Sequence, residues 1–236
     1  MSNDPMGAAM LDYLQGNAAA EVIVASNLTE DDIIPAYYLF REEKEMPELE
    51  LLALAACQGA VLDVGAGAGS HTLALQNRGH EVTALDFSAG AVEVMRQRGV
   101  RNVLHQDILD LKDARYDTLL LLMNGIGIAG DLSGLDRFLR HAKSLLKPGG
   151  QLLLESSDIL YMFEDEDGSV LLDLNAGYYG EVKYNMTYKD HESGWFNWLF
   201  IDAAILEDHA TEAGFGFEVL YEGEFGNYLA QLTLLA

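Results

Sequence analysis

Residues 60–69 read Ala60-Val-Leu-Asp-Val-Gly-Ala-Gly-Ala-Gly69, with Ser70 and His71 behind them. Ala60 to Val64 is a short apolar run broken only by Asp63, which predicts a buried strand. Gly65, Gly67 and Gly69 predict a turn. Ser70 is expected to cap a helix running to Arg78, and Gly79 to end it. Strand, glycine turn and helix together make a pocket for a small molecule. Glycines let the backbone bend sharply and approach a ligand, and a helix start offers unpaired N–H donors. The spacing departs from the dinucleotide fingerprint G-x-G-x-x-G, because the third glycine arrives one residue early. A carboxylate is costly to bury alone, so Asp63 is expected to bond to the turn backbone or to the ligand.

The pattern Asp63-Val-Gly-x-Gly-x-Gly69 resembles motif I of the class I S-adenosylmethionine (SAM) methyltransferases, a family with a Rossmann-like fold. A glycine-rich turn without a ligand is the alternative. The features farther along the chain that share the resemblance are a strand ending at Asp86, an acid at Asp107, the turn Lys147-Pro-Gly-Gly150 before an apolar strand, and a closing hairpin.

The composition bounds the partners. The chain has 236 residues, 50% apolar and 22% charged, which suits one large globular domain or one with a cap. Its 14 basic and 38 acidic residues give a net charge of −24. Phosphate grip needs Lys and Arg, so the balance argues against nucleic acid and against an anionic membrane surface. A neutral or cationic small molecule is easier to accommodate. Cys57 is the single cysteine, so no intrachain disulfide forms, and a cytoplasmic location is the simplest expectation. The start shows no basic segment followed by an apolar run, so no signal peptide is expected. The apolar runs are too short to span a bilayer. No histidine spacing suggests a metal site.

Along the chain, Met1 to Pro5 reads as a loose start and Met6 to Ala56 as mostly helical. Pro35 to Arg41 gathers aromatics beside one Arg, and Pro47 opens a further helix. His80 to Leu85 is a second strand ended by Asp86, about twenty residues after Gly65, where a ribose-binding acid belongs in a βαβ nucleotide site. Phe87-Ser88 follows as a helix start, so plain capping is the alternative role of this corner. Asn102 to His105 is a third strand, ended near Asp107 and Ile108. Tyr116 to Met123 is a fourth, leading into Asn124 and Gly125. Asp131 to Leu146 carries one apolar stripe and reads as a core helix. Gln151 to Glu155 is the fifth strand. Phe217 to Tyr221 and Tyr228 to Leu235 are joined too closely to be anything but antiparallel.

The expected architecture is therefore an α/β fold: a doubly wound, seven-stranded, mostly parallel sheet with an antiparallel C-terminal hairpin. Residues 1–58 form an N-terminal helical lid segment and 59–236 the methyltransferase domain. Within it, 156–200 is an insertion with an acidic loop, Glu164 to Asp167, and an aromatic hairpin. Loops beyond the C-terminal strand ends overlie the ligand crevice, so this insertion is a candidate substrate cap, with a dimer contact or a self-packed hairpin as the alternatives.

The resemblance implies SAM as cofactor and methyl transfer to a small-molecule acceptor. It assigns Asp63, Gly65, Gly67 and Gly69 to the methionine moiety, Asp86 with Phe87 to the ribose corner, and Asp107 with Ile108 to the adenine. Asn124 and Gly125 would line the path from sulfonium to acceptor. Tyr38 or Arg41 would meet the methionine end, with packing on the sheet as the alternative. Asp158, Tyr178 and Trp195 are the candidate acceptor contacts, with Glu155 beside Asp158. No general base stands out; His71 and His191 both read more readily as structural or solvated. Two rivals share the glycine turn: an NAD(P)-dependent oxidoreductase, and a SAM-binding protein without turnover.

Overall fold

The computed structural model describes residues 3–165, 168–171 and 177–235. In chain order these form α1 (Pro5–Leu14), β1 (Glu21–Ser26), β2 (Asp32–Pro35), α2 (Glu48–Ala56), β3 (Ala60–Val64), α3 (Ser70–Asn77), β4 (Glu81–Asp86), α4 (Ala89–Gln97), β5 (Val103–His105), β6 (Tyr116–Leu121), α5 (Leu132–Leu145), β7 (Leu146–Ser157), β8 (Glu181–Tyr188), β9 (His191–Glu192), β10 (Phe196–Leu199), α6 (Ala203–Ala213), β11 (Phe215–Glu222) and β12 (Asn227–Leu234).

The main sheet has seven strands in the order β11-β12-β7-β6-β3-β4-β5. Strands β3 to β7 are parallel, and β12 pairs antiparallel with both β7 and β11. Alternation along β3 decides what each face buries. Val61 faces Ala53, Leu54 and Leu75 of α2 and α3, together with Val82, Leu120 and Leu153. Leu62 and Val64 face the opposite layer, where α5 and α6 contribute Leu135, Phe138, Leu139, Ala142 and Leu206. Helix α4 joins the first layer through Val92 and Met95, packed on Ala84. The turn expected at Lys147–Gly150 is a looped-out irregularity inside β7: Tyr116 pairs with Leu146 and Thr118 with Gln151.

Three expectations for local structure need correction. The stretch 6–56 is not mostly helical, because β1 and β2 lie inside it. Val22 and Val24 are buried on alternate positions, and β1 finds a partner in β8, far away in sequence. Pro5 is not loose: it opens α1, whose cap is the Asp4 carboxylate. Ser70 does not cap α3 either. Gly69, at φ +80°, precedes the helix, and the Ser70 hydroxyl donates to the Leu39 carbonyl instead.

The hairpin expected in the insertion exists, as β8 paired with β10. It belongs to a second, antiparallel sheet ordered β10-β8-β1-β2, with β9 on β8. The lid segment and the insertion therefore build one cap sheet between them. Its inner face sets Val22, Val24 and Tyr188 against Ala9 of α1 and Ala36. Of the acidic loop, Glu166 and Asp167 lie outside the described residues. Among the described residues, no helix is long and apolar enough to cross a membrane.

Candidate active site

The C-terminal ends of β3, β4, β5, β6 and β7 lie side by side, so one edge of the sheet carries Gly65, Asp86, Asp107, Asn124 and Glu155. Gly65 and Ala66 both donate backbone N–H bonds to the Leu85 carbonyl, at 2.8 and 3.1 Å, which docks the glycine turn onto β4. Gly65 and Gly67 sit at φ +70° and +56°, a region that an L side chain enters only at a cost. A Cβ built on either would meet nothing within 4 Å. The turn thus presents bare backbone to an open space, a cradle that fits a ligand pressed against the main chain.

Asp63 is 2% exposed. Its carboxylate accepts from the Thr72 hydroxyl at 2.5 Å, so its partner is the first turn of α3 rather than the glycine-turn backbone. Burial pushes its carboxyl above the usual carboxylate range. Its side chain lies on the α3 face of the sheet because Val61 and Asp63 share one parity of β3.

Asp86 is also buried, and its two oxygens are each half used. Oδ2 accepts from the Gly67 N–H and Oδ1 from the Ser88 N–H, both at 2.8 Å. A carboxylate oxygen can accept a second bond, so two acceptor sites are left for a diol. Burial pushes this carboxyl up to about 6, against the two backbone donors that pull it down. The capping role expected of the corner is filled: Ser88 caps α4 by accepting from the Ala91 N–H at 2.9 Å, and Phe87 is 75% exposed.

Asp107 caps a short 3-10 turn through Oδ1, which accepts from the Leu109 N–H at 2.8 Å. The Ile108 side chain packs in the core on the α5 face, so any contact it makes with a ligand is confined to its backbone. Met123 and Asn124 both have positive φ, +56° and +53°. Two such residues in succession are strained backbone of the kind that gathers at functional sites. The Asn124 amide donates to the Leu199 carbonyl at 3.2 Å, and its buried Oδ1 has no hydrogen-bond partner.

Arg41 is not a solvated cation. Its Nε donates to the Tyr38 carbonyl at 2.8 Å, and its guanidinium lies 3.8 Å over the Tyr38 ring. Its Nη2 donates to Glu50 at 2.8 Å and reaches Met123 Sδ at 3.6 Å. The other Glu50 oxygen pairs with His71 Nε2 at 2.7 Å. Burial would push Glu50 up, but His71 and Arg41 together hold it below its ordinary value. Glu155 accepts from the Met123 N–H at 2.6 Å, and burial raises its carboxyl. Glu155, partly buried, thus stands at the ends of β6 and β7 near Glu50, His71 and Arg41, with Arg41 committed to Glu50.

The acceptor candidates divide. Asp158 accepts from the Tyr179 hydroxyl at 2.7 Å, and Tyr178 donates to Asp202 at 2.7 Å. The two tyrosine rings lie 4.6 Å apart. Asp158 also borders a cleft of about 510 Å³ with Tyr161, Glu224 and Phe225. Trp195 is 58% exposed, whereas Trp198 lies on Gly127 of the loop after β6: a Cβ there would fall 2.1 Å from the indole. Trp198 is the tryptophan that joins the cap sheet to the strand-end edge. Its sequence signal was a glycine in the loop that a large ring could approach. Glu50 and Thr72, which hold His71 and Asp63, had no such signal.

Strand-end edge, exposed glycine backbone and a buried acid two residues ahead of the turn define a Rossmann-like nucleotide site of the adenosyl-binding kind. The comparisons agree. The family described as "Methyltransferase domain" matches residues 61–150. A SAM-dependent methyltransferase from Bacteroides fragilis, solved in complex with S-adenosyl-L-homocysteine (SAH), is 46% identical and superposes with a TM-score of 0.92 over 99% of this chain and 96% of that one. The chain belongs to the SAM-dependent methyltransferases, and its cofactor is SAM rather than a nicotinamide. A demethylmenaquinone methyltransferase from Clavibacter sepedonicus is 36% identical over 100 residues, which are 40% of this chain and only 39% of that enzyme. An amino pentose methyltransferase from Micromonospora echinaspora shares the fold, at 19% identity and a TM-score of 0.57 over 84% of this chain and 94% of that one.

Proposed function

We propose that this protein transfers the methyl group of SAM to a small-molecule acceptor held between the cap sheet and the ends of β6 and β7. The observation that carries the reading is the open glycine cradle beside Asp86, on the edge shared with Asn124 and Glu155. In this reading Gly65 and Gly67 receive the methionine part, the unused lone pairs of Asp86 accept the ribose hydroxyls, and Asp107 with the Ile108 backbone N–H meets the adenine. Arg41, fixed by Glu50 and Tyr38, stands at the methionine end. SAM supplies an already activated methyl when bound, so the chain's main task is placement.

Acceptor placement falls to Glu155, Asp158 and the aromatic wall of the cap. Glu155 is fixed by the Met123 N–H and stands near Glu50, His71 and Arg41. A partly buried carboxylate with a raised pKa can hold a proton-bearing acceptor and take its proton as the new bond forms. Asp158 and Glu224 make the neighbouring cleft acidic, which with the charge of −24 favours a neutral or cationic acceptor over a polyanion. Demethylmenaquinone is the acceptor named for one relative, but the match spans about two fifths of that enzyme, so a quinone is one member of the panel to try.

The test is transfer of isotopically labelled methyl from SAM to a panel of small amines, phenols and quinones, with oligonucleotides and protein as counter-panels. Labelled product from a small molecule alone is expected. Label entering only nucleic acid or protein would overturn the reading.

A further inference from the structure

We propose that Asp4, the N-terminal cap of α1, is a positioning residue for the cofactor, acting through Ser88 to fix the Asp86 carboxylate. The inference rests on the reading of Asp86 as the ribose acceptor. A helix cap needs one carboxylate oxygen, and Asp4 uses Oδ1 for it, accepting from the Gly7 N–H at 2.9 Å. The second oxygen goes elsewhere. Asp4 Oδ2 accepts from the Ser88 hydroxyl at 2.7 Å and from the Gly90 N–H at 3.1 Å, across more than eighty residues of sequence. The Ser88 backbone N–H in turn donates to Asp86 Oδ1 at 2.8 Å, and the Gly67 N–H holds Oδ2. One unbroken run of hydrogen bonds therefore ties the start of α1 to Asp86 and on to the glycine turn.

The packing makes this run rigid. A Cβ on Gly90 would fall 2.6 Å from the Gly7 backbone, so α1 and α4 touch main chain to main chain at this point. Met10 of α1 packs with Ala68 of the glycine turn and with Ala91 and Val94 of α4. Loss of the Asp4 charge leaves the Gly90 N–H facing an amide or nothing, and leaves the Ser88 hydroxyl held only by the bond it accepts from the Ala91 N–H.

Charge gives a readout that a purely structural cap would not move. The groups around Asp86 are Asp4 on the α1 cap, Asp63 on β3, and His105, which stands opposite Asp86 on β5 and bonds the Phe87 carbonyl at 3.0 Å. His191 of β9 borders the groove between α1 and α4. Asp4 and Asp63 both push the Asp86 carboxyl up. Removing the Asp4 charge therefore moves the acid limb of cofactor binding to lower pH, while loss of the hydrogen-bond run weakens binding at every pH.

The experiment is calorimetric titration of the full chain with SAH from pH 5 to pH 8.5, for the wild type, Asp4→Asn, Asp4→Ser and Asp86→Asn, with melting curves for each. Asn and Ser both remain good helix caps, so folding should persist, and Ser keeps the cap without reaching Ser88. The expected result is SAH binding about five- to tenfold weaker in both Asp4 variants at pH 8, with the acid limb shifted downward. Unchanged affinity and an unmoved acid limb, with Asp86→Asn weakened, would overturn the role of Asp4. An Asp86→Asn variant that binds like the wild type would instead overturn the ribose reading itself.

Discussion

At the scale of single residues, the strand-end edge is built on buried carboxylates with unequal tasks. Asp63 and Asp86 are both buried, yet Asp63 is bound by a side chain of α3 while Asp86 is bound by backbone N–H groups at the ligand edge. Asp86→Ala should weaken SAH binding by about 1–3 kcal/mol, because the ribose hydroxyls lose their acceptors; equal affinity in a folded variant would refute the ribose role. The pH dependence follows with a definite sign. The carboxyl sits at about 6 in the protein, raised from 3.8 by burial, and hydroxyl donors favour its ionised form. SAH affinity should therefore be full above pH 7 and fall as pH drops through about 6, approaching tenfold per pH unit below it. A profile flat to pH 5 would contradict this. Asp86 and the glycines were legible in the sequence because local spacing fixes them. The surrounding contacts were not: Thr72 meets Asp63, Glu50 meets His71 and Arg41, and Asp4 meets Ser88 only through tertiary packing, and a cap residue near the chain start carries no pattern of its own.

At the scale of elements, α5 and the cap sheet show the two limits of reading a pattern. The apolar stripe of α5 predicted its core face, and Leu135, Phe138, Leu139, Ala142 and Leu145 are all buried. Phe138→Ala should cost about 3–5 kcal/mol of folding stability, measured by denaturant unfolding. The strands β1 and β2 were hidden because a short alternating run declares a strand only when a partner exists, and β8 lies beyond all five parallel strands in sequence. The cap sheet reaches the strand-end edge where Trp198 lies on Gly127. Gly127→Ala should therefore displace β10, cost about 1–3 kcal/mol by overpacking, and raise the acceptor KM while leaving the SAH Kd near that of the wild type. A change confined to SAH binding would place β10 away from the acceptor.

At the scale of the molecule, one edge of the seven-stranded sheet carries Gly65, Asp86, Asp107, Asn124 and Glu155, while residues of the N-terminal segment and of the insertion pair into a single second sheet. The parallel order, the switch to antiparallel strands and the hairpin were readable from connection lengths, since a short link cannot make a parallel crossover. The sharing of the cap between two distant segments was not, because nothing local records which strand will pair with which. The charge of −24 acts on the whole. Self-repulsion is screened as the Debye length falls from about 30 Å at 0.01 M salt to about 8 Å at 0.15 M, so Tm should rise with sodium chloride, by roughly 2–4 °C per kcal/mol of repulsion relieved. A Tm that falls over this range would show that attractive pairs, such as Arg78 with Glu43, outweigh the excess negative charge.

Calorimetric titration of SAH into the wild type and Asp86→Ala at pH 8 tests whether Asp86 holds the cofactor. The geometry predicts one SAH per chain in the wild type, and binding weaker by about 1–3 kcal/mol in the variant with its melting temperature retained. Equal affinity in the two proteins would mean that the cofactor's ribose does not rest on Asp86 and that the cradle described here is not where SAM binds.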